Sequence, residues 1–167
     1  KYYNYYMGNQ DILRKTVSQD WKPNNRIVAN YPSYIVDSYN GYLTGIDITY
    51  TSDEDIEEIQ NILNYNDFQA EDADFLLNAL TYGVAVELMY IDKGGQTRFR
   101  LINPTNCFGV YDDSLTGDLM YFVRMYKASE WDESNKYLVD VYSDYEIAHY
   151  EMAGENGSVH YLASEPH

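Results

Sequence analysis

Residues 83–101 read Gly-Val-Ala-Val-Glu-Leu-Met-Tyr-Ile-Asp-Lys-Gly-Gly-Gln-Thr-Arg-Phe-Arg-Leu, and the chain changes its period inside them. Val84, Val86, Leu88 and Tyr90 alternate with Ala85, Glu87, Met89 and Ile91, which is the two-residue repeat of a strand. Lys93-Gly94-Gly95 follows as a two-glycine turn, and Thr97, Phe99 and Leu101 continue on a return strand, so the stretch predicts a β-hairpin. Upstream of Gly83 the apolar residues recur with helical spacing, and downstream they alternate. The fold class expected is therefore α+β, with N-terminal helices followed by an antiparallel β meander.

Working back toward the N-terminus, an acidic-capped helix is predicted over about Ala70 to Tyr82, with Ala73, Leu76, Leu77 and Leu80 inward and Gly83 as its stop. Ser52 with Asp55 gives a weak capping box for another helix with Ile56, Ile59 and Leu63 on its buried face. Asp53 and Glu54 fall in its first turn, and residues 65–69 join the pair. Ile46, Ile48 and Tyr50 alternate as a short strand. Before that, Asn24 and Asn25 are good caps for a stripe of Ile27, Tyr31, Ile35, Tyr39 and Leu43, flanked by Val28 and Val36, which recurs every fourth residue. Pro32 inside the stripe predicts a kink or a split. Residues 1–7 form a tyrosine-rich turn or helix ending at Gly8, and Trp21-Lys22-Pro23 is a loop. Working forward, Pro104 breaks the hairpin, and strands are predicted at 107–111, 119–127, 137–142, 145–152 and 158–163. The turns between them fall at 112–118, 129–136 and 154–157. The expected divisions are an arm (1–26), a helical part (27–83) and a β part (84–167).

The 167 residues carry 11 Lys and Arg against 27 Asp and Glu, a net charge of −16, which disfavours a chain that grips nucleic acid by neutralising phosphates. The charge is uneven: Lys1, Arg14, Lys15, Lys22 and Arg26 give residues 1–36 a net +3, while residues 37–167 hold −19. Apolar runs such as 75–77 and 84–86 are far below the roughly 20 residues of a membrane span, so no membrane partner is expected. The single cysteine, Cys107, has no partner for an intrachain disulfide and reads as a small buried hydrophobe in a reducing compartment. The start at Lys1, and an end at Pro166 and His167 straight after a strand pattern, are read as a piece cut from a longer polypeptide.

Most carboxylates fall in helix first turns or loops, including Asp53, Glu54, Asp55, Glu71, Asp72, Asp112, Asp113, Asp118, Glu130, Asp132 and Glu133. Glu87 and Glu146 stand out as strand acids whose surroundings could raise a pKa, and a hydrolase such as a glycosidase would place one of them in a pocket beside a second acid. His149 and His160 could face each other on neighbouring strands as a metal or catalytic pair, but the local pattern is strand surface, and His167 belongs to no motif. No P-loop, GxGxxG or GxSxG occurs, and Asn156-Gly157-Ser158 reads as a turn rather than a glycosylation acceptor. No catalytic residue, metal ligand or cofactor is expected. The residues left as candidates for subunit or nucleic-acid contact are Arg14, Lys15, Lys22 and Arg26 with Tyr2, Tyr3, Tyr5 and Tyr6. Twenty tyrosines supply amphipathic contact area suited to a wide interface, including that of a tyrosine-rich extracellular binding module.

The order of several short segments carries a family resemblance. Tyr5-Tyr6-Met7-Gly8, Ile12-Leu13-Arg14, Asn24 to Tyr31, Ile35-Val36-Asp37 and Gly41-Tyr42-Leu43-Thr44-Gly45 are followed by Asn66-Asp67, Tyr82 to Ala85, Asn103-Pro104 and Phe108 to Asp113. Taken in this order, the chain resembles the N-terminal half of tailed-bacteriophage portal proteins from about Tyr2 to Lys127, and beyond that the similarity is one of strand pattern. The resemblance implies a non-enzymatic structural subunit and a wing-like region. It implies a homo-oligomeric ring, commonly of twelve copies, at a capsid vertex through which double-stranded DNA is packaged and released. It further implies terminase, capsid or scaffold and head-tail adaptor proteins as partners, a place in the virion, and assembly in the host bacterial cytoplasm. The clip, stem and crown of such a protein would lie beyond His167.

Overall fold

The protein was analysed as a computed structural model, which describes residues 1–19, 21–127, 136–154 and 157–166. The expected turns at 129–136 and 154–157, Glu130, Asp132, Glu133 and His167 lie outside the described residues wholly or in part. Among the described residues four α-helices precede seven antiparallel strands, the α+β order that the change of period predicts. The chain divides into two compact units, Lys1–Ile102 and Asn103–His167. No helix among the described residues is long and apolar enough to cross a membrane.

The first unit contains α1 (Tyr2–Tyr6), α2 (Tyr31–Thr44), α3 (Glu57–Tyr65) and α4 (Phe68–Tyr82), with a hairpin of β1 (Val86–Ile91) and β2 (Thr97–Ile102). Helix α2 packs on α4, and α1 lies against both. Pro32 neither kinks nor splits α2, because it occupies the first turn, where a missing N–H costs nothing. Residues 24–30 are consequently not helical.

The apolar stripe of α2 faces outward. Pro32, Ser33, Val36, Asn40 and Thr44 are its half-buried side, while Tyr31, Tyr34, Ile35, Tyr39, Tyr42 and Leu43 are exposed. The inward side is small or polar, and its polar groups are partly satisfied within the unit. Asp37, beside that face, accepts hydrogen bonds from Ser33 Oγ and Tyr6 Oη, each at 2.9 Å, and Thr44 Oγ1 donates to the Asn40 carbonyl at 2.8 Å.

Two further expectations change for stated reasons. Residues 46–50 form no strand, since the Gln69 side-chain amide takes the place of a neighbouring strand. It donates from Nε2 to the Ile48 carbonyl at 2.8 Å and accepts the Ile48 N–H at 3.1 Å. The capping box at Ser52 does not form either. Asp55 Oδ1 accepts the Glu57 N–H at 3.0 Å in a local turn, so α3 begins at Glu57, and Glu57 and Glu58 are the first-turn acids. The α3–α4 connection is only Asn66-Asp67, with Asp67 left-handed at φ 53°, and Gly83 closes α4 in the left-handed region at φ 79°.

The second unit opens with Asn103, whose Oδ1 accepts the Thr105 N–H at 3.0 Å and so caps the short 3-10 turn that Pro104 begins. Then comes a five-stranded meander of β3 (Cys107–Tyr111), β4 (Leu119–Lys127), β5 (Lys136–Tyr142), β6 (Glu146–Ala153) and β7 (Val159–Pro166), paired in that order. Asp112 Oδ1 closes the β3–β4 loop by accepting the Asp118 N–H at 2.9 Å and the Ser114 hydroxyl at 2.7 Å. Among the described residues, Ile102 in one unit and Met152 in the other are the buried apolar side chains.

Candidate functional site

The eight residues expected to make contacts divide by what already holds them. Tyr3 stacks on Tyr82 with ring centroids 5.9 Å apart and planes 3° from parallel. Tyr5 Oη donates to Asp11 Oδ2 at 2.9 Å, and the hydrogen bond to Asp37, followed by burial, raises the Tyr6 hydroxyl above its ordinary pKa. Asn30 Nδ2 donates to the Tyr6 carbonyl at 2.9 Å. These three tyrosines are therefore part of the packing of their own unit, while Tyr2 is largely exposed. Together Tyr2, Tyr5 and Tyr6 line an open, mainly apolar cleft of about 430 Å³ with Pro32, Ile35 and Leu80.

The cations do not share a partner. Arg14 makes a 3.8 Å ion pair with Asp11, and Lys22 sits 5.4 Å from the Trp21 ring. Lys15 and Arg26 make no ion pair among the described residues. Nothing in these contacts assembles a phosphate-binding patch from Arg14, Lys15, Lys22 and Arg26.

The strand acids do not assemble a hydrolytic site. Burial, then the charges of Glu71 and Asp72, raises the Glu87 carboxyl above its ordinary range, in line with the environment expected for it. Yet Glu71 is engaged by Arg100 at 2.7 Å, and the open cleft of about 300 Å³ beside this pair is lined by Glu71, Asp74, Arg98 and Arg100 rather than by Glu87. Glu146 opens β6 at an exposed tight turn, where its carbonyl accepts the Ser143 hydroxyl at 2.9 Å.

The register of the sheet does not bring the two histidines face to face. His149 lies opposite Ala163 and His160 opposite Glu151, with an irregularity at His149/Tyr150, so the two rings are not cross-strand partners. His160 Nε2 instead lies 3.0 Å from Ser158 Oγ. Among the described residues no cluster of His, Cys, Asp and Glu is arranged to hold a metal.

What His149 meets is Asp140, an acid that the strand pattern contained and the sequence reading passed over. Arg124, Asp140 and His149 stand directly opposite one another on β4, β5 and β6. Asp140 is only 4% exposed; its Oδ1 is 2.7 Å from His149 Nδ1 and its Oδ2 is 3.8 Å from Arg124 Nη1. Glu165 on β7 approaches His149 Nε2 at 3.6 Å, and the Arg124 guanidinium lies 4.1 Å from the centre of the Tyr126 ring. The hydrogen bond to Asp140 holds the His149 imidazole above its ordinary pKa against the opposing pull of partial burial. Burial first, and the Asp140 charge next, raise the hydroxyls of Tyr126 and Tyr142. Burial likewise pushes the half-buried Cys107 thiol up, Arg124 pulling it back in part, which leaves it a weak nucleophile. This row sets one buried carboxylate between the Arg124 guanidinium and the His149 imidazole, and it ties four strands together.

What the chain offers in quantity is surface. Exposed aromatic and aliphatic side chains occur on both units, among them Trp21, Ile27, Tyr42, Ile91, Leu115 and Tyr145.

A helical unit with a tyrosine-faced helix, a single-layer meander and abundant apolar surface define a chain suited to contact with other chains. The sequence matches the family "Phage portal protein, SPP1 Gp6-like" over residues 1–167, and the chain belongs to that family. It is 26% identical over 165 residues to the portal protein of Bacillus phage SPP1, a match covering 88% of this chain and 31% of that protein. The chain thus spans about a third of the length of this curated relative.

Proposed function

We propose that this chain is the outer wing region of a phage portal subunit, a structural part of the capsid-vertex ring through which double-stranded DNA is packaged and released. The family match along the whole chain carries the reading. The large apolar surface supports it, because a ring subunit needs surfaces that its neighbours complete. The net charge of −16 supports a conduit that does not hold phosphates.

In this role the chain acts mechanically. It contacts neighbouring copies, commonly twelve in all, together with capsid or scaffold, terminase and head-tail adaptor proteins, first in the host bacterial cytoplasm and then in the virion. Within the arm, Tyr2, Lys15, Lys22 and Arg26 are the residues with most freedom to make such contacts; Arg14 is partly neutralised, and Tyr3, Tyr5 and Tyr6 contribute by shaping the unit. Electron microscopy of the full-length protein tests the reading. Rings with a central channel are expected, and a preparation of isolated subunits or of particles without a channel would overturn it.

A further inference from the structure

We infer that the outward face of α2 is where a second copy of this chain docks, an assignment that rests on the ring reading and adds to it the surface used. Tyr31, Tyr34, Ile35, Tyr39, Tyr42 and Leu43 lie between 52 and 85% exposed along one helix. At 150–250 Å² per aromatic side chain, this stripe leaves roughly 700–800 Å² of mainly apolar surface in water. The largest apolar patch on an ordinary monomer covers about 300–600 Å². One partner's share of a stable protein interface is about 800 Å². The stripe has the size of half an interface.

Gly41 is an independent observation on the same helix. It sits in the helix interior, where glycine is less favourable than alanine, and a Cβ built on it would meet nothing within 4 Å. Among the described residues no neighbour requires the glycine. Without a side chain the helix surface is open there to close approach by another chain.

The occupant follows from charge. Helix α2 carries one ionisable acid, Asp37, and no Lys or Arg, so it offers nothing to a phosphate backbone or to the head groups of an anionic bilayer. Another protein surface rich in tyrosine and apolar side chains fits, and a second copy of this chain presents one. In a closed ring the contact is heterologous: α2 of one copy meets a different surface of the next.

The test uses full-length protein, with the fraction in rings measured by electron microscopy and analytical ultracentrifugation at one concentration. The double variant Tyr34→Glu/Tyr42→Glu is expected to keep the wild-type thermal midpoint within about 2 °C, as exposed substitutions do, and to lower the ring fraction at least tenfold. Should that variant misfold, Gly41→Ala decides alone. It is expected to raise the midpoint of the free subunit by roughly 2–5 °C while still lowering the ring fraction. Wild-type rings with an unchanged ring fraction in the folded variants would overturn the assignment of this face and leave the ring reading standing. A wild-type protein that forms no rings would remove both.

Discussion

Replacing Asn66 by leucine is expected to destabilise the 1–102 unit by about 2–3 kcal/mol, the cost of leaving partly buried polar groups without partners. For a unit of this size that lowers the thermal midpoint by roughly 10–20 °C. Asn66 is 4% exposed and stands at the two-residue bend between α3 and α4. Its Nδ2 donates to the Thr97 carbonyl at 2.9 Å and to the Ile62 carbonyl at 2.8 Å, and its Oδ1 accepts the Phe99 N–H at 3.1 Å. One side chain therefore occupies the outer edge of β2 as a third strand would, and fastens an otherwise two-stranded sheet to the helices. Leucine matches the volume and keeps none of these bonds. Aspartate keeps the acceptor but sets a charge against two carbonyl oxygens, so Asn66→Asp is expected to be no better. Thermal unfolding checks the size of the effect. Hydrogen exchange checks its place, with the Phe99 amide losing protection before amides in the middle of α4.

Asp140→Ala has the comparable effect in the sheet. Removing one partner from a buried ionic group costs about 3–5 kcal/mol when the remaining charges are sealed from water. Arg124 and His149 keep about a third of their side-chain surface exposed, so about 2–3 kcal/mol is expected here. The pH dependence separates charge from packing. His149 binds its proton more tightly in the folded chain than in the unfolded one. Its pairing with Asp140 therefore contributes fully below the ordinary histidine value of about 6.5 and is lost as pH rises through the higher folded value. Wild-type stability is expected to fall across that window. Asp140→Asn, which keeps a hydrogen-bonding group but no charge, is expected to flatten the slope, and denaturant unfolding at a series of pH values reads it directly.

The parts of the fold legible in the sequence are those governed by local pattern. The alternation after Gly83 and the glycine pair announced the hairpin, Gly83 announced the end of α4, and the turn residues at 112–118 separated β3 from β4. The misread elements are those in which one side chain substitutes for the expected partner. Gln69 pairs with Ile48 across 21 residues of sequence, and no two-residue alternation reports that bond. Periodicity located the stripe of α2 but not its direction, because a helix with a small, polar inner side and an aromatic outer side has the same period as an ordinary one. Asp140 was visible as the single charge within Leu138-Val139-Asp140-Val141. A carboxylate set among β-branched and aliphatic residues is the signal that marks a buried, partnered acid. Its partners Arg124 and His149 become adjacent only through strand register, which single-sequence patterning does not supply.

Hydroxyl-radical labelling of the full-length protein, as assembled particles and as dissociated subunits, tests most directly whether the chain works through surfaces that its neighbours complete. Labelling of the exposed tyrosines within residues 1–167, Tyr31, Tyr34 and Tyr42 foremost, is expected to fall several-fold on assembly. Equal labelling of those tyrosines in both states would contradict it.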